Sequence, residues 1–298
     1  MNATSKTEST FQSALQNATS LLAERGIASP RSEASLLLAY VLGIPKEKLI
    51  LHPEKEITGS EDEDFLHLVE RRCQREPVAY LTGQQEFWSL AFDVNPQVLI
   101  PRPETEGVIE QLIRWAGATT RDRELSILDV GTGSGILAVT AAVEFPKARV
   151  TAIDISPEAL AVAKTNAQRH RVADRIDFIL HDMTNDWPLP EGRRYDFILS
   201  NPPYIPSGEM AGLMPDVRDY EPVGALDGGP DGLSCYRSII PNALAGLKPE
   251  GGLILEVGDG QAEDVASLLE VCQGFQEIVI NQDLSGRGRV VFARRTHG

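Results

Sequence analysis

The sequence of 298 residues predicts an α/β protein in which helices cover both faces of an open, mostly parallel sheet. After residue 100, short apolar runs typical of buried strands alternate with longer segments of helical periodicity. Before residue 86, helical periodicity predominates, and residues 86–100 alternate apolar and polar side chains as a hairpin does. We therefore expect a helical domain at 1–85, a β-hairpin linker at 86–100 and an α/β domain at 101–298.

The N-terminal residues predict a small bundle of helices. The segment TFQSALQNATSLLAERG places Phe11, Leu15 and Leu22 at helical intervals, and Gly26 can end that helix. A second helix is expected in SPRSEASLLLAYVLG. A third is expected in GSEDEDFLHLVERRCQRE, with Ser60 as its N-cap. These residues contain no catalytic motif, so the chemistry is expected in the α/β domain.

The α/β region predicts a regular succession of elements. Its strands are expected in LSILDV, ARVTAIDI, RIDFILHD, YDFILS and GGLILEVG, followed by a terminal pair in FQEIVINQDLSGRGRVVFARR. Its helices are expected in GILAVTAAVEF, SPEALAVAKTNAQRH, GLSCYRSIIPNALAGLK and QAEDVASLLEVC. Strands and helices that alternate in this way are typical of a parallel sheet.

The composition argues against several classes of function. The net charge of −15 is unlike that of a protein that binds duplex nucleic acid, which normally carries a basic surface. Cys73, Cys235 and Cys272 match no disulfide or zinc spacing, and the five histidines are scattered, so we expect a reducing cytoplasm and no metal. Apolar runs are too short to cross a bilayer, and the first residues lack the pattern of a secretion signal.

A glycine-rich loop follows the first strand of the α/β region. LDVGTGSGIL places Gly131, Gly133 and Gly135 where a tight turn lets a ligand approach the backbone. Asp154 ends the next strand, where a carboxylate can accept hydrogen bonds from ribose hydroxyls. A nucleoside-containing cofactor fits this pattern. Ile136 stands where a dinucleotide fingerprint requires Gly or Ala, which argues against NAD. The G-x-G-x-G form that starts at Gly131, preceded by Asp129, is similar to motif I of S-adenosylmethionine-dependent methyltransferases, so S-adenosylmethionine is favoured over NAD. A purely structural glycine turn is the third interpretation.

The segment DFILSNPPYIP ends another strand with Asn201, Pro202, Pro203 and Tyr204. The nitrogen of a conjugated amino group is a weak nucleophile, and it needs acceptors for both N–H bonds before its lone pair can face an electrophile. The Asn201 side-chain oxygen and the Pro202 carbonyl can be those acceptors, and the prolines hold them still. Tyr204 can pack on a planar amide or base. The alternative is a proline-rich turn that merely ends a strand.

Several stretches together resemble one family. LIPRPETE (99–106), NPPYIP (201–206), EPVGALDGGPDGLSCYR (221–237) and LEVGDGQ (255–261) look like the HemK/PrmC family, the release factor glutamine N5-methyltransferases. The resemblance covers nearly the whole chain. It implies a Rossmann-like class I methyltransferase sheet and an N-terminal domain that docks the protein substrate.

The resemblance also implies the reactants and the site. The donor is S-adenosylmethionine, which leaves as S-adenosylhomocysteine. The acceptor is the glutamine of the Gly-Gly-Gln loop in class I peptide chain release factors. We expect a monomer in the cytoplasm, without nucleic acid or membrane as partner. The implied cofactor contacts are Gly131, Thr132, Gly133, Ser134, Gly135, Asp154, Met183 and Asn201. The implied substrate contacts are Asn201, Pro202, Pro203 and Tyr204, of which Asn201, Pro202 and Tyr204 are the implied catalytic residues.

Some alternatives stay open at the level of sequence. The motif after the strand also suits an adenine-N6 methyltransferase acting on DNA or RNA, and a non-catalytic cofactor-binding protein or an NAD-dependent dehydrogenase are further options. Arg102 and its neighbouring prolines either line the mouth of the site or form the start of a helix. For Asp129 and Glu256, both contact with the cofactor and packing at the end of a strand are possible roles.

Overall fold

A computed structural model describes residues 9–117, 124–187 and 194–297, which form two compact units. The first unit comprises the described residues up to Gly83 together with Pro215–Tyr220, and the second comprises those of Gln84–Met214 and from Glu221 onward. The predicted domain limits of 1–85, 86–100 and 101–298 stay a prediction. In the described part of the chain, no helix has both the length and the apolar character that crossing a membrane requires.

The described helices are α1 (Phe11–Glu24), α2 (Pro30–Leu42), α3 (Glu47–Leu51), α4 (Gly59–Cys73), α5 (Val78–Thr82), α6 (Glu106–Ala116), α7 (Ile136–Glu144), α8 (Pro157–Arg169), α9 (Pro215–Arg218), α10 (Ser234–Gly246) and α11 (Ala262–Val271). The described strands are β1 (Gln84–Phe87), β2 (Leu90–Asp93), β3 (Ser126–Val130), β4 (Arg149–Asp154), β5 (Ile176–Leu180), β6 (Tyr195–Ser200), β7 (Leu247–Glu256), β8 (Phe275–Gln282) and β9 (Gly288–Arg295).

The first unit is a helical bundle around one apolar core, which includes Phe11 of α1, Leu38 of α2 and Phe65 of α4. The predicted cap of α4 was wrong. Thr58, not Ser60, is the N-cap residue: its side chain accepts a hydrogen bond from the Glu61 N–H, and the Glu61 side chain accepts one from the Thr58 N–H. This reciprocal pair satisfies two backbone donors at the helix start, which Ser60, already inside the helix, cannot do.

The second unit contains a seven-stranded sheet in the order β5-β4-β3-β6-β7-β9-β8. The neighbouring pairs from β5 to β7 are parallel, whereas β9 is antiparallel to both β7 and β8. The order reverses between β3 and β6, because β4 lies on one side of β3 and β6 on the other. Ligands of open α/β sheets bind at such a reversal, beyond the carboxyl ends of the strands.

Side chains that alternate along the strands divide the core into two layers. Ile127 of β3 belongs to the layer that includes residues of α6 and α7, whereas its neighbour Leu128 belongs to the layer that includes α10 and α11. Apolar side chains therefore point from both faces of the sheet into helices, as buried parallel strands require. This arrangement confirms the predicted α/β fold with helices on both faces.

A two-stranded hairpin of β1 and β2 precedes the sheet. Phe87 pairs with Leu90, so the turn consists of Trp88 and Ser89, with φ of 54° and 57°. Positive φ at both central residues suits the right-handed twist of a two-residue hairpin turn. Asn95 and Pro96 follow the second strand, which ends at Asp93.

Candidate active site

The glycine-rich loop after β3 is held in a left-handed backbone conformation. Gly131, Gly133 and Gly135 have φ of 75°, 55° and 85°, a region that side chains with a Cβ rarely adopt. The N–H groups of Gly131 and Thr132 donate to the Ile153 carbonyl at 2.9 and 3.0 Å, which fixes the loop to the end of β4. The glycines are therefore required by the shape of this loop.

Asp154 joins the same loop from the carboxyl end of β4. Its Oδ2 accepts a hydrogen bond from the Gly133 N–H at 2.8 Å, and its Oδ1 accepts one from the Ser156 N–H at 2.9 Å. Burial raises the pKa of this carboxyl, and these backbone N–H groups oppose the rise. Asp154 thus orders the loop and also faces the cleft beside it.

The carboxyl ends of β3, β4 and β6 surround an open cleft. Eight of the predicted site residues line it: Gly131, Thr132, Gly133, Ser134, Asp154, Met183, Asn201 and Pro203. A Cβ built on Gly133 would meet no atom within 4 Å, so the backbone there is open to a ligand. Backbone donors, a carboxylate and the apolar Met183 and Ile155 fit a nucleoside cofactor.

Three predicted site residues do not line this cleft. Gly135 lies behind the loop, where its N–H donates to the Thr132 carbonyl at 2.8 Å and a Cβ would come within 3.0 Å of Ala163 Cβ. Pro202 is buried, and the Tyr204 side chain is partly buried against the layer that contains α10 and α11. Gly135 therefore allows α7 and α8 to pack closely.

Asn201 is the first residue after β6. The preceding Ser200 donates its hydroxyl hydrogen to the Val130 carbonyl at 2.7 Å, which ties the end of β6 to that of β3. The Asn201 Nδ2 donates to Thr105 Oγ1 at 3.2 Å. Among the described residues, none donates a hydrogen bond to Asn201 Oδ1. The side-chain oxygen of Asn201 is thus left to accept hydrogen bonds from a ligand in the cleft.

The backbone around Tyr204 is enclosed by two of the distant sequence motifs. Its carbonyl accepts a hydrogen bond from Gln261 Nε2 at 2.9 Å. A Cβ on Gly228 would lie 2.7 Å from Tyr204 Cα, and one on Gly232 would collide with the Tyr204 carbonyl oxygen. A Cβ on Gly258 would come within 2.9 Å of the Tyr204 ring. Only glycine fits at these positions, and the motifs 221–237 and 255–261 hold the segment after β6 in place.

The Tyr204 side chain sits among charged groups. Burial raises the pKa of its hydroxyl to about 12, and the nearby Glu256 carboxylate adds to the rise, whereas Arg289 and Arg102 oppose it. The phenol therefore stays neutral at physiological pH and cannot act as a base.

The segment LIPRPETE contributes both to the cleft and to a helix start. Arg102 and Thr105 line the cleft, whereas Pro103–Thr105 form a 3₁₀ turn that leads into α6. Buried Glu221 forms an ion pair with Arg102 and accepts a hydrogen bond from the Ile100 N–H at 3.2 Å. Both interpretations of this segment are therefore correct.

Two buried carboxyl groups flank the site. Burial raises the pKa of Asp129 to about 7, although its Oδ2 accepts hydrogen bonds from Thr132 Oγ1 at 2.6 Å and from the Ala138 N–H at 3.1 Å. Asp129 does not line the cleft. Its role is to hold the glycine loop to the start of α7 through these two hydrogen bonds. Burial likewise raises the pKa of Glu256, at the end of β7, to about 7.

Asn166 of α8 is a site residue that the sequence did not reveal. Its Nδ2 donates to the Ser134 carbonyl at 2.8 Å and to the Asp93 carbonyl at 3.0 Å, and its Oδ1 accepts from the Asp93 N–H at 2.7 Å. It therefore connects the glycine loop to the hairpin. The sequence contained one indication of its burial. Asn166 follows Ala163 by three residues, a helical spacing that places both on the buried face of α8.

Comparisons with known proteins agree with this geometry. Residues 13–83 match the PrmC N-terminal domain, and residues 121–285 match a methyltransferase domain. The release factor glutamine methyltransferase of Koribacter versatilis is 38% identical, over 96% of this chain and 99% of its own. That of Geobacter sulfurreducens is 41% identical, over 92% of each chain. The chain belongs to the release factor glutamine methyltransferase family.

Membership of this family confirms the predicted resemblance and makes the chain a methyltransferase that depends on S-adenosylmethionine. A dehydrogenase and a non-catalytic binding protein are thereby set aside. Among solved structures, the catalytic domain of hMettl16, crystallised with the MAT2A 3'UTR hairpin 6, superimposes with a TM-score of 0.57. The match covers 76% of this chain and 81% of that one at 18% identity, so it shows a shared fold.

Proposed function

We propose that this family member transfers a methyl group from S-adenosylmethionine to the side-chain nitrogen (N5) of the glutamine in the Gly-Gly-Gln motif of class I release factors. The observation that supports this most directly is the state of Asn201. Its NH₂ group is engaged by Thr105, and its oxygen is left for a ligand in the same cleft as the glycine loop. Both relatives described above carry the name release factor glutamine methyltransferase.

The cofactor is proposed to lie along the glycine loop. Gly131, Thr132, Gly133 and Ser134 would face it with their backbone, Asp154 would accept hydrogen bonds from the ribose hydroxyls, and Met183 would contact the adenine. Bound S-adenosylmethionine supplies a methyl group activated by its sulfonium. The protein's own contribution is to hold the acceptor amide in line with that group.

The amide of the substrate glutamine needs two hydrogen-bond acceptors. We assign Asn201 Oδ1 to one N–H and the Pro202 carbonyl to the other. With both hydrogens held in this way, the nitrogen lone pair points at the methyl group instead of being delocalised into the amide carbonyl. Pro203 and Tyr204 are assigned to the remaining contacts with the glutamine. The methylated nitrogen then loses its surplus proton to solvent, so the site needs no strong base. The residues of 1–85 are proposed to dock the release factor.

The decisive experiment incubates the chain with S-adenosylmethionine and either a release factor or nucleic acid, followed by mass spectrometry. We expect one methyl group on the Gly-Gly-Gln glutamine. The Asn201→Ala variant should bind the cofactor normally in calorimetry and lose about 100-fold or more in kcat, as when a preorganised polar group is removed from an active site. Methyl groups found only in nucleic acid would contradict the proposal and favour an adenine-N6 methyltransferase. A normal rate for Asn201→Ala would remove its assigned role.

The acidic composition supports a protein substrate, because the net charge of −15 opposes contact with phosphates. We also propose that the chain acts as a monomer in the cytoplasm, without nucleic acid or membrane as partner.

A further inference from the structure

The cleft beside the glycine loop contains one acidic and one basic side chain. Among the described residues that line it, Asp154 is the only acid and Arg102 the only base. Asp154 is assigned to the ribose hydroxyls of the cofactor, whereas Arg102 has no assigned ligand. In a chain with 43 acidic residues and 28 Lys and Arg residues, a guanidinium group in a cleft attracts anions that the molecule as a whole repels.

The side chain of Arg102 is held by a buried carboxylate. The Glu221 side chain, which is 1% exposed, accepts a hydrogen bond on Oε1 from Arg102 Nη2. Its Oε2 accepts one from the Ile100 N–H at 3.2 Å. One bond holds the backbone of this segment and the other holds the guanidinium, so Glu221 restricts the positions that the Arg102 side chain can take.

Most of the hydrogen-bonding capacity of Arg102 is still available. A guanidinium carries five N–H donors, and in the described part of the chain Arg102 uses only Nη2, toward Glu221. The side chain is 32% exposed and lines the cleft, so its other donors can reach a ligand there. Because the donors of a guanidinium lie on more than one edge, Arg102 can hold Glu221 and a second carboxylate at once.

Arg102 is also connected to the reacting end of the cleft. The Thr105 N–H donates to the Arg102 carbonyl at 3.2 Å, within the 3₁₀ turn Pro103–Thr105. The Thr105 hydroxyl in turn accepts a hydrogen bond from Asn201 Nδ2, also at 3.2 Å. Arg102 therefore lies one turn of chain from the contact with Asn201, whereas Asp154 belongs to the end of β4. The two charged groups of the cleft belong to different walls.

The covalent structure of S-adenosylmethionine indicates which anion Arg102 binds. Its sulfonium has three substituents: the nucleoside, the transferable methyl group and the methionine chain. In the proposed arrangement the nucleoside lies at Asp154 and the methyl group faces the amide held by Asn201. The methionine chain is then left with the remaining wall, to which residues of 97–102 and 222–225 contribute. This chain carries an α-carboxylate, the only anionic group of the cofactor.

We propose that Arg102 is a cofactor-binding residue whose guanidinium recognises the α-carboxylate of S-adenosylmethionine, and that Glu221 is a positioning residue for Arg102. This inference rests on the cofactor placement in the proposed function and is independent of which acceptor is methylated. It also gives a purpose to the buried Glu221. That carboxylate joins 97–102 to 222–225, so the carboxylate site is built where these two segments of the cleft wall meet.

The test measures how much the carboxylate of the ligand contributes to binding. Calorimetry compares S-adenosylhomocysteine with its decarboxylated analogue, which lacks only the α-carboxylate and keeps the nucleoside and the amino group. The parent should bind S-adenosylhomocysteine about 10- to 100-fold more tightly than the analogue, as when a charge-assisted hydrogen bond is lost. In Arg102→Met this ratio should fall below about 3-fold, because only S-adenosylhomocysteine loses a contact.

Two further variants serve as controls. Arg169→Met also removes an ion-paired arginine of the second unit, whose side chain is 35% exposed, but Arg169 does not line the cleft. It should keep the ratio of the parent. Arg102→Lys keeps a cation beside Glu221 and should fold even if Arg102→Met, which leaves that carboxylate unpaired, does not. Its ammonium lacks the planar fork of a guanidinium, so its ratio should fall between those of the parent and Arg102→Met.

Several outcomes would overturn the inference. A parent that binds both ligands equally has no carboxylate site. A ratio that stays at the parent's value in each folded Arg102 variant, or that falls as far in Arg169→Met, would remove the specific role of Arg102. An equal loss of affinity for both ligands in Arg102→Met would show that Arg102 only shapes the cleft. If both ligands bind as in the parent and only KM for a release factor rises, Arg102 contacts the protein substrate instead.

The binding comparison needs no release factor, so its outcome is separate from that of the proposed function. A parent that shows the expected preference for S-adenosylhomocysteine but methylates no release factor would refute the proposed acceptor and leave the assignment of Arg102 intact. A parent that methylates a release factor while Arg102→Met retains the full preference would refute the assignment and leave the function intact.

Discussion

Gly228→Ala tests how tightly the segment after β6 is held. A Cβ at Gly228 would lie 2.7 Å from Tyr204 Cα and 2.8 Å from the Gly232 carbonyl oxygen. Both are backbone atoms, so no side-chain rotation relieves the contact. Gly228 is not in the left-handed region, so the substitution adds crowding without backbone strain.

The expected cost follows from this crowding. Forcing one methyl group into a well-packed site typically costs about 1–3 kcal/mol. With a urea m-value of about 3 kcal/mol per M, the unfolding midpoint should fall by roughly 0.3–1 M. The Tyr204 backbone must also shift by a few tenths of an ångström, so we expect kcat to fall about 10-fold.

Tryptophan fluorescence suits the measurement, because Trp88, Trp115 and Trp187 are the three tryptophans of the chain and all belong to the second unit. Gly208→Ala is the matched control in the same connection: its Cβ would meet nothing within 4 Å and its φ is not left-handed. That control should stay within about 0.5 kcal/mol of the parent. If Gly228→Ala unfolds at the same urea concentration as Gly208→Ala, the close approach to Tyr204 is not a constraint.

Two further predictions concern other buried groups. Asn166→Ala removes the partner of the Ser134 carbonyl, so the free energy of unfolding should fall by about 2–4 kcal/mol. Calorimetry should show weaker binding of S-adenosylhomocysteine. An unchanged affinity would mean that Asn166 does not support the glycine loop. The raised pKa of Asp129 predicts that stability falls with rising pH between about 4 and 7, where the unfolded chain has released the proton and the folded one retains it. Asp129→Asn should reduce this slope, at most about 1.4 kcal/mol per pH unit, in urea titrations at several pH values; an identical slope would contradict the assignment.

The sequence predicted the sheet well because its signals are local. Each of the seven strands was anticipated from an apolar run, and α10 was anticipated although Pro241 lies inside it. The loop glycines and Asp154 were found because their spacing after strands is fixed by the fold. The short helices α3 and α5 gave no signal, since one turn of helix is too short to show a period.

Long-range polar contacts could not be predicted. Nothing in the sequence near Thr105 indicates Asn201 as its partner, because the two lie 96 residues apart and meet only in the folded chain. The role of Gly228 is hidden for the same reason, since the atom closest to a Cβ there belongs to the distant Tyr204. These contacts depend on tertiary structure alone, whereas strands and loops follow from neighbouring residues.

The placement of β9 has a consequence for how the protein is made. It is the last of the seven strands in chain order, yet it lies between β7 and β8. Until residues 288–295 have been synthesised, β7 presents an open row of backbone donors and acceptors to other nascent chains. A chain that is truncated before residue 288 lacks a strand from the interior of the sheet, not a strand from its edge. We expect such a chain to aggregate instead of folding into a shortened enzyme.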